Sequence, residues 1–322
     1  MEDRKQVEHE QISTSLEVEQ LDSNLFRSKS LYLPVRARGV FGGQVISQAV
    51  VTATNVVDPG FALHVRLQCY FLASGSPSTP IIYNVEVLRK GRSYIVCTVK
   101  AIQMGNVIFT MTCSFQKPEP WQPSQQWPMP NVPAPEQCPP EEERILRLVE
   151  SQTAQNHPRR AEFYRQSAAH RSISPIAIRC AKAHDVGPEG TVRYMWWMKA
   201  KGIPKYEAPF QKCIVAYMSD IYFIYSARLI MGLKRFGRGP GVLSMMSTLD
   251  HSIYYYDDNF DCGDWLLYVV ESPRAGSGRS VVHGRFYTQN GILVAVTSQE
   301  GLIRADIRGP EQATDANLKA KL

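Results

Sequence analysis

The chain has 322 residues, 44% hydrophobic and 20% charged, with a formal net charge of +6, an ordinary globular balance at a length that suits about two domains. The positive excess is modest and spread along the chain, so nucleic-acid binding is not expected, whereas long-range attraction of an anionic ligand is. No run of about 18 apolar residues and no apolar leader occur, so neither a membrane span nor export is expected; the seven cysteines, an odd number without a Cys-x-x-Cys pair, favour neither a disulfide framework nor a metal or other cofactor.

Residues 1–14 read as a flexible polar N-terminus, and the alternation from Ser15 to Leu21 followed by Asn24-Leu25-Phe26 predicts a strand and hairpin. Val40-Phe41-Gly42-Gly43 leads into Gln44–Ala53, small and apolar on nearly every side, which predicts a buried helix forming the axis of its domain. Leu63–Phe71, Ile81–Leu88, Ser93–Gln103 and Val107–Gln116, with turns at Lys90-Gly91 and Gly105-Asn106, predict an antiparallel meander. A buried helix against one curved sheet is an α+β arrangement.

Nine prolines among residues 117–140 deprive a strand of too many donors, so this stretch reads as a semi-rigid connector, with Trp121 and Trp127 lying on a domain surface. Helical segments at 141–150 and 158–169 follow, then strands at 175–179 and 191–198, and Cys213–Tyr225 predicts a second buried helix. A second meander opens at Leu243–Tyr256 and ends near Arg304. The expected organisation is a first domain at 15–116, a connector at 117–172, a second domain at 173–305 and a tail at 306–322.

The two meanders repeat each other. Advancing residues 64–116 by 185 positions sets Ile81-Ile82-Tyr83-Asn84-Val85-Glu86 on Leu266-Leu267-Tyr268-Val269-Val270-Glu271, with matches at Tyr70/Tyr255, Arg89/Arg274, Gly91/Gly276, Val96/Val281 and Thr112/Thr297. A period of this size means two packed domains rather than a solenoid. Leu63 and Ser114 fall opposite Thr248 and Gln299, so an apolar and a small residue of the first copy give way to larger hydrogen-bonding ones in the second. That is the pattern expected if one copy carries the chemistry.

Asp220 lies within the apolar and aromatic second helix, where a lone carboxylate must be paired, protonated or employed. Capping by backbone N–H groups is the structural alternative. With Thr248 and Gln299 facing the same helix, the three side chains could hold a water, the carboxylate taking its proton while hydroxyl and amide fix its orientation. No Gly-x-Ser-x-Gly elbow, His-Glu-x-x-His helix or Walker loop competes. His251 invites a general-base role, but a structural histidine is favoured, since neighbours on a strand face opposite sides.

Val40-Phe41-Gly42-Gly43-Gln44, Ser219-Asp220, Thr248-Leu249-Asp250-His251-Ser252, Trp265-Leu266-Leu267-Tyr268 and Phe286–Gly291 through Gln299-Glu300-Gly301 resemble the acyl-CoA thioesterase II family over most of residues 15–305. The resemblance implies a tandem double hotdog, two antiparallel sheets each wrapped around a long central helix. It implies hydrolysis of fatty acyl-CoA to fatty acid and coenzyme A, with Asp220, Thr248 and Gln299 activating a water and no covalent intermediate. Gly42, Gly43 and Gln44 at a helix N-terminus are candidates for contact with the thioester, and Arg89 and Arg92 at a hairpin, together with the basic stretch Lys234-Arg235-Phe236-Gly237-Arg238, are candidates for the coenzyme A phosphates. A hotdog enoyl-CoA hydratase and a silent acyl-CoA binder are the alternatives.

Ala320-Lys321-Leu322 is a small-basic-leucine variant of the peroxisomal Ser-Lys-Leu address, so import into the peroxisomal matrix by its receptor is expected. Further association into a homo-oligomer is left open.

Overall fold

The computed structural model describes residues 11–150, 157–187 and 190–307, apart from the side chains of residues 62–65. The first half carries α1 (Ile12–Leu16), β1 (Val18–Asp22), β2 (Leu25–Ser28), α2 (Gly42–Val56), β3 (Ala62–Phe71), β4 (Ile82–Lys90), β5 (Tyr94–Gln103) and β6 (Asn106–Gln116). The connector holds a single turn at Pro135–Gln137, α3 (Glu141–Val149) and α4 (Pro158–Ile173). The second half carries β7 (Ile176–Val186), β8 (Val192–Ala200), α5 (Ala208–Ser219), α6 (Phe223–Ile230), β9 (Leu243–Thr248), β10 (Asp250–Tyr255), β11 (Leu266–Gly276), β12 (Arg279–Thr288) and β13 (Leu293–Ala305).

Small and apolar faces decide where the helices go. Ile46, Ala49, Val50 and Ala53 of α2 are fully buried, as are Ile214, Val215 and Ala216 of α5. Each buried Val or Ile side chain contributes about 1.5–3 kcal/mol. The two helices pack on each other, with Ser47 Oγ donating to the Cys213 carbonyl at 2.9 Å.

Two separate sheets were the expectation, but among the described residues the strands form one antiparallel sheet of 13 strands. The halves join edge to edge where β3 pairs with β10, from Asp250 opposite Tyr70 to Tyr254 opposite Arg66. Joining leaves neither β3 nor β10 as an open edge, which would otherwise invite association.

The second central helix is also broken rather than continuous. α5 ends at Ser219, Asp220 stands at its C-terminal cap, and Tyr222 adopts a left-handed conformation (φ 60°) before α6 begins. Ala208–Ile230 is long and apolar enough to cross a membrane by length and composition, but 72% of that window is buried inside the protein, as suits a core segment.

The 185-residue repeat is kept in the central hairpins: β5, Tyr94–Gln103, maps residue for residue onto β12, Arg279–Thr288. It slips by one residue in the flanking strands. Tyr70 is exposed where Tyr255 is buried, and Thr112 is exposed where Thr297 is buried. A slip of one residue turns every side chain to the other face. Gln299 therefore shares its inward orientation with Cys113, not with Ser114, and the contrast between an apolar and a hydrogen-bonding position survives in corrected form.

One further expectation changes and one is met. Residues 11–14 are not a loose lead-in, because Ile12 and Leu16 of α1 are fully buried in the core. The proline-rich connector crosses the outer face of the second half's sheet: Trp197 Nε1 donates to the Pro133 carbonyl at 2.9 Å, and Gln126 bonds both Gly291 and Leu293. Trp127 lies on this surface over the Arg285 guanidinium, as expected of a surface-lying connector.

Candidate active site

Three elements of the second half and one of the first meet at Asp220. Thr248 closes β9, which pairs with β13 so that Thr248 stands opposite Gly301, and Gln299 lies on β13 two residues earlier. Gln299 Nε2 donates to Asp220 Oδ1 at 2.9 Å and to Thr248 Oγ1 at 3.0 Å. Its Oε1 is buried without a hydrogen-bond partner among the described residues. The three residues singled out from the sequence are thus in one cluster.

The break after α5 turns the Asp220 carboxylate toward the N-terminus of α2. That terminus begins at Phe41 with no side-chain cap, leaving N–H groups and the positive end of the helix dipole directed at the carboxylate. Burial raises the Asp220 pKa, while the Gln299 amide and the Gly43 N–H pull it back. The capping alternative is therefore partly realised, by a helix of the other half. Gly42 is required by closeness: a Cβ there would lie 2.8 Å from Asp220 Oδ2 and 3.1 Å from the Phe71 ring.

A second layer of polar groups holds the cluster from behind. Asp250 Oδ1 accepts the Glu300 N–H at 2.7 Å, and the Leu249 N–H donates to the Glu300 carbonyl at 2.9 Å, fixing the corner that carries Thr248 to the strand that carries Gln299. Tyr268 Oη donates to the Ser219 carbonyl at 2.8 Å and lies 3.0 Å from Thr297 Oγ1. Asp250 and Tyr268 were not singled out. Asp250 carried a signal, a carboxylate two residues beyond Thr248.

His251 faces away from any general-base role. It is fully buried, its Nε2 lies 2.9 Å from Ser219 Oγ, and burial pushes its pKa down to about 3.

The other candidates separate. The Gln44 side chain is spent on backbone, accepting from the Tyr32 N–H at 2.7 Å and donating to the Ser15 and Ser30 carbonyls, so it staples the N-terminal segment and does not face Asp220. Arg89 and Arg92 are exposed at the β4–β5 hairpin, where Arg89 is level with Val96, Ser114 and Arg66. Phe71, which touches the Gly42 position, is five residues farther along β3 than Arg66, on the order of 17 Å. The hairpin therefore stands at the opposite end of the sheet from Asp220. Ala320, Lys321 and Leu322 lie outside the described residues.

Two halves sharing one antiparallel sheet, a buried helix in each, and a carboxylate, hydroxyl and amide gathered where the helices meet describe an α+β hotdog-fold thioesterase with two domains. Comparison with known proteins agrees: residues 33–116 match the model of the acyl-CoA thioesterase N-terminal domain and residues 135–303 that of the C-terminal domain. The chain belongs to the acyl-CoA thioesterase II family. It is 34% identical over 306 residues to acyl-coenzyme A thioesterase 8 of Rattus norvegicus, covering 93% of this chain and 91% of that one. It is 24% identical over 332 residues to the peroxisomal acyl-coenzyme A thioester hydrolase 1 of Saccharomyces cerevisiae, covering 89% and 93%. The crystal structure of an acyl-CoA thioesterase II from Mycobacterium marinum matches with a TM-score of 0.71 at 30% identity, covering 91% and 98%.

Proposed function

We propose that this member of the family hydrolyses fatty acyl-CoA at the Asp220 cluster. The observation that carries this reading is the single amide of Gln299 bonded to both the Asp220 carboxylate and the Thr248 hydroxyl. A water set among these groups has an acceptor for its proton in Asp220, and Thr248 and the unpartnered Gln299 Oε1 orient it. Its oxygen attacks the thioester carbonyl carbon as Asp220 takes the proton. The Gly42 N–H and the α2 dipole stabilise the oxyanion. Collapse breaks the carbon–sulfur bond, and the proton passes from Asp220 to the departing sulfur, giving a fatty acid and coenzyme A.

The hydratase alternative asks for an Asp/His pair at the helix. His251, bonded to Ser219 and held neutral by burial, does not supply one. Thiol release from a saturated acyl-CoA, abolished in Asp220→Ala with folding retained, supports hydrolysis. Formation of 3-hydroxyacyl-CoA from an enoyl-CoA without thiol release overturns it, and binding without turnover favours the silent acyl-CoA binder.

The site draws Gly42 from a first domain spanning 15–116 and its other members from a second spanning 173–305. We assign the protein to the peroxisomal matrix, with Ala320-Lys321-Leu322 read by the import receptor. The motif and the peroxisomal relative in yeast support this. A fluorescent fusion to the N-terminus should enter peroxisomes, and removal of the three residues should leave it outside; entry without them overturns the assignment.

A further inference from the structure

We propose that Arg36, Arg160 and Arg235, each lying over an aromatic ring and backed by the buried charge of Arg228, bind the phosphates of the coenzyme A portion of the substrate. This rests on the hydrolase reading and extends it. The Arg36 and Arg235 guanidinium groups lie 5.2 and 4.3 Å from the Phe163 ring centroid, Arg160 lies 5.4 Å from Phe236, and Arg228 lies 4.5 Å from Tyr225. Phe163 and Phe236 are themselves in edge contact at 5.6 Å, and Arg235 also lies 6.0 Å from the Tyr225 ring, so the four charges form one patch.

The arginines come from four segments: the loop before α2, α4, α6 and the turn after α6. Among the described residues none of the four forms an ion pair, whereas Arg193 and Arg285 elsewhere in the second half pair with Asp185 and Glu271. Assembling like charges without a counter-ion is unfavourable unless an anion completes them. Each guanidinium lies over a ring, and for Arg36, Arg160 and Arg235, which reach the surface, this leaves N–H groups available, the arrangement that suits bidentate phosphate contact. Arg228 is fixed further by donating to the Tyr225 hydroxyl at 2.7 Å and the Leu233 carbonyl at 2.6 Å. Arg36, an exposed non-glycine residue, holds a left-handed backbone (φ 58°), the kind of strain that persists where a side chain must point one way.

Two segments of chain tie the patch to the reaction site. Arg36 lies six residues before Gly42, and Arg228 lies eight after Asp220. α4 bridges them: Tyr32 Oη is 3.5 Å from His170 Nδ1 and the Tyr32 ring is 6.4 Å from that of Phe41, the residue preceding Gly42. Phe163 precedes His170 by seven helical residues, about 10 Å. The pantetheine arm separates thioester from phosphates in the same sense.

The test uses Arg36→Gln with Arg235→Gln in the full chain, and Arg160→Gln separately. Two quantities are measured: the affinity for free coenzyme A by titration calorimetry, and the ratio of kcat/KM for an acyl-CoA to that for the same acyl group on N-acetylcysteamine, which lacks the phosphates. Both should fall about tenfold or more in the double variant. Because each ratio comes from one preparation, loss of folded protein cancels. An affinity and a ratio that stay within about twofold of the unaltered protein in both variants overturn the proposal. Thiol release with an unaltered ratio removes the phosphate site and leaves the hydrolase; arginine-dependent coenzyme A binding without thiol release does the reverse.

Discussion

Gln299 and Asp220 stand 79 residues apart in the chain, yet the amide of the first donates to the carboxylate of the second at 2.9 Å while also holding Thr248. Gln299→Leu removes both contacts and the unpartnered Oε1 together. Thiol release should fall about 100-fold or more in kcat, as for loss of a positioned polar group in a transition state. A variant keeping more than about a tenth of the rate would take Gln299 out of the mechanism.

In the proposed mechanism Asp220 sets the acid side of the pH profile. Burial holds its carboxyl above the ordinary value of 3.8, and the ionised form is the active one, so kcat/KM should decline as pH falls through the raised value. Gln299→Leu removes one of the two groups that lower it, so the limb should move to higher pH. The same shift predicts an effect on stability. A carboxyl more readily protonated when folded than when unfolded destabilises the fold once ionised. Asp220→Asn should therefore raise Tm near neutral pH, with the gain shrinking as pH falls toward the ordinary carboxylate range. A gain independent of pH would contradict the assignment.

His251 should act on stability, not on rate. Its pKa falls from about 6.5 to about 3 on folding, so the stability it supports is present above the unfolded value and is lost as pH falls toward the folded one. The loss is about 1.4 kcal/mol per pH unit in that window. Chemical denaturation across the window should give a slope that His251→Asn reduces by one proton; an unaltered slope would mean that the ring is not held neutral.

The glycine pair separates activity from folding. Gly42→Ala places a methyl 2.8 Å from Asp220 Oδ2, so thiol release should drop about tenfold or more through displaced geometry while the melting temperature changes little. Gly43→Ala meets the Phe41 ring at 2.6 Å and the Tyr217 carbonyl at 2.7 Å, and should destabilise by about 1–3 kcal/mol. Equal effects on melting would refute the distinction.

The strongest sequence signals concern period and polarity. Asp220 amid apolar residues, and Thr248 and Gln299 where the first copy has an apolar Leu63 and a small Ser114, lead to the cluster because unpaired polarity in a core is costly. The broken helix is not legible, since Tyr222 is an aromatic residue in a left-handed conformation that aromatic side chains rarely take. The one-residue slips are hidden because a gapless repeat conserves residue type but not the face of the strand. Gln44 reads as a site residue from its place at a helix N-terminus, yet it serves the Ser15 and Ser30 carbonyls. Arg89 and Arg92 read as phosphate contacts from charge alone, whereas the pairing of β6 with β3 on one side and β5 on the other sets them at the far end.

The seam between β3 and β10 makes each half dependent on the other in two ways at once. A fragment made by cutting within residues 117–140 and separating the pieces would lack either Gly42 or Asp220 and would bare a strand ready to hydrogen-bond. Such fragments would tend to pair with themselves through the bared strand, so inactivity and clumping would arise from a single cut.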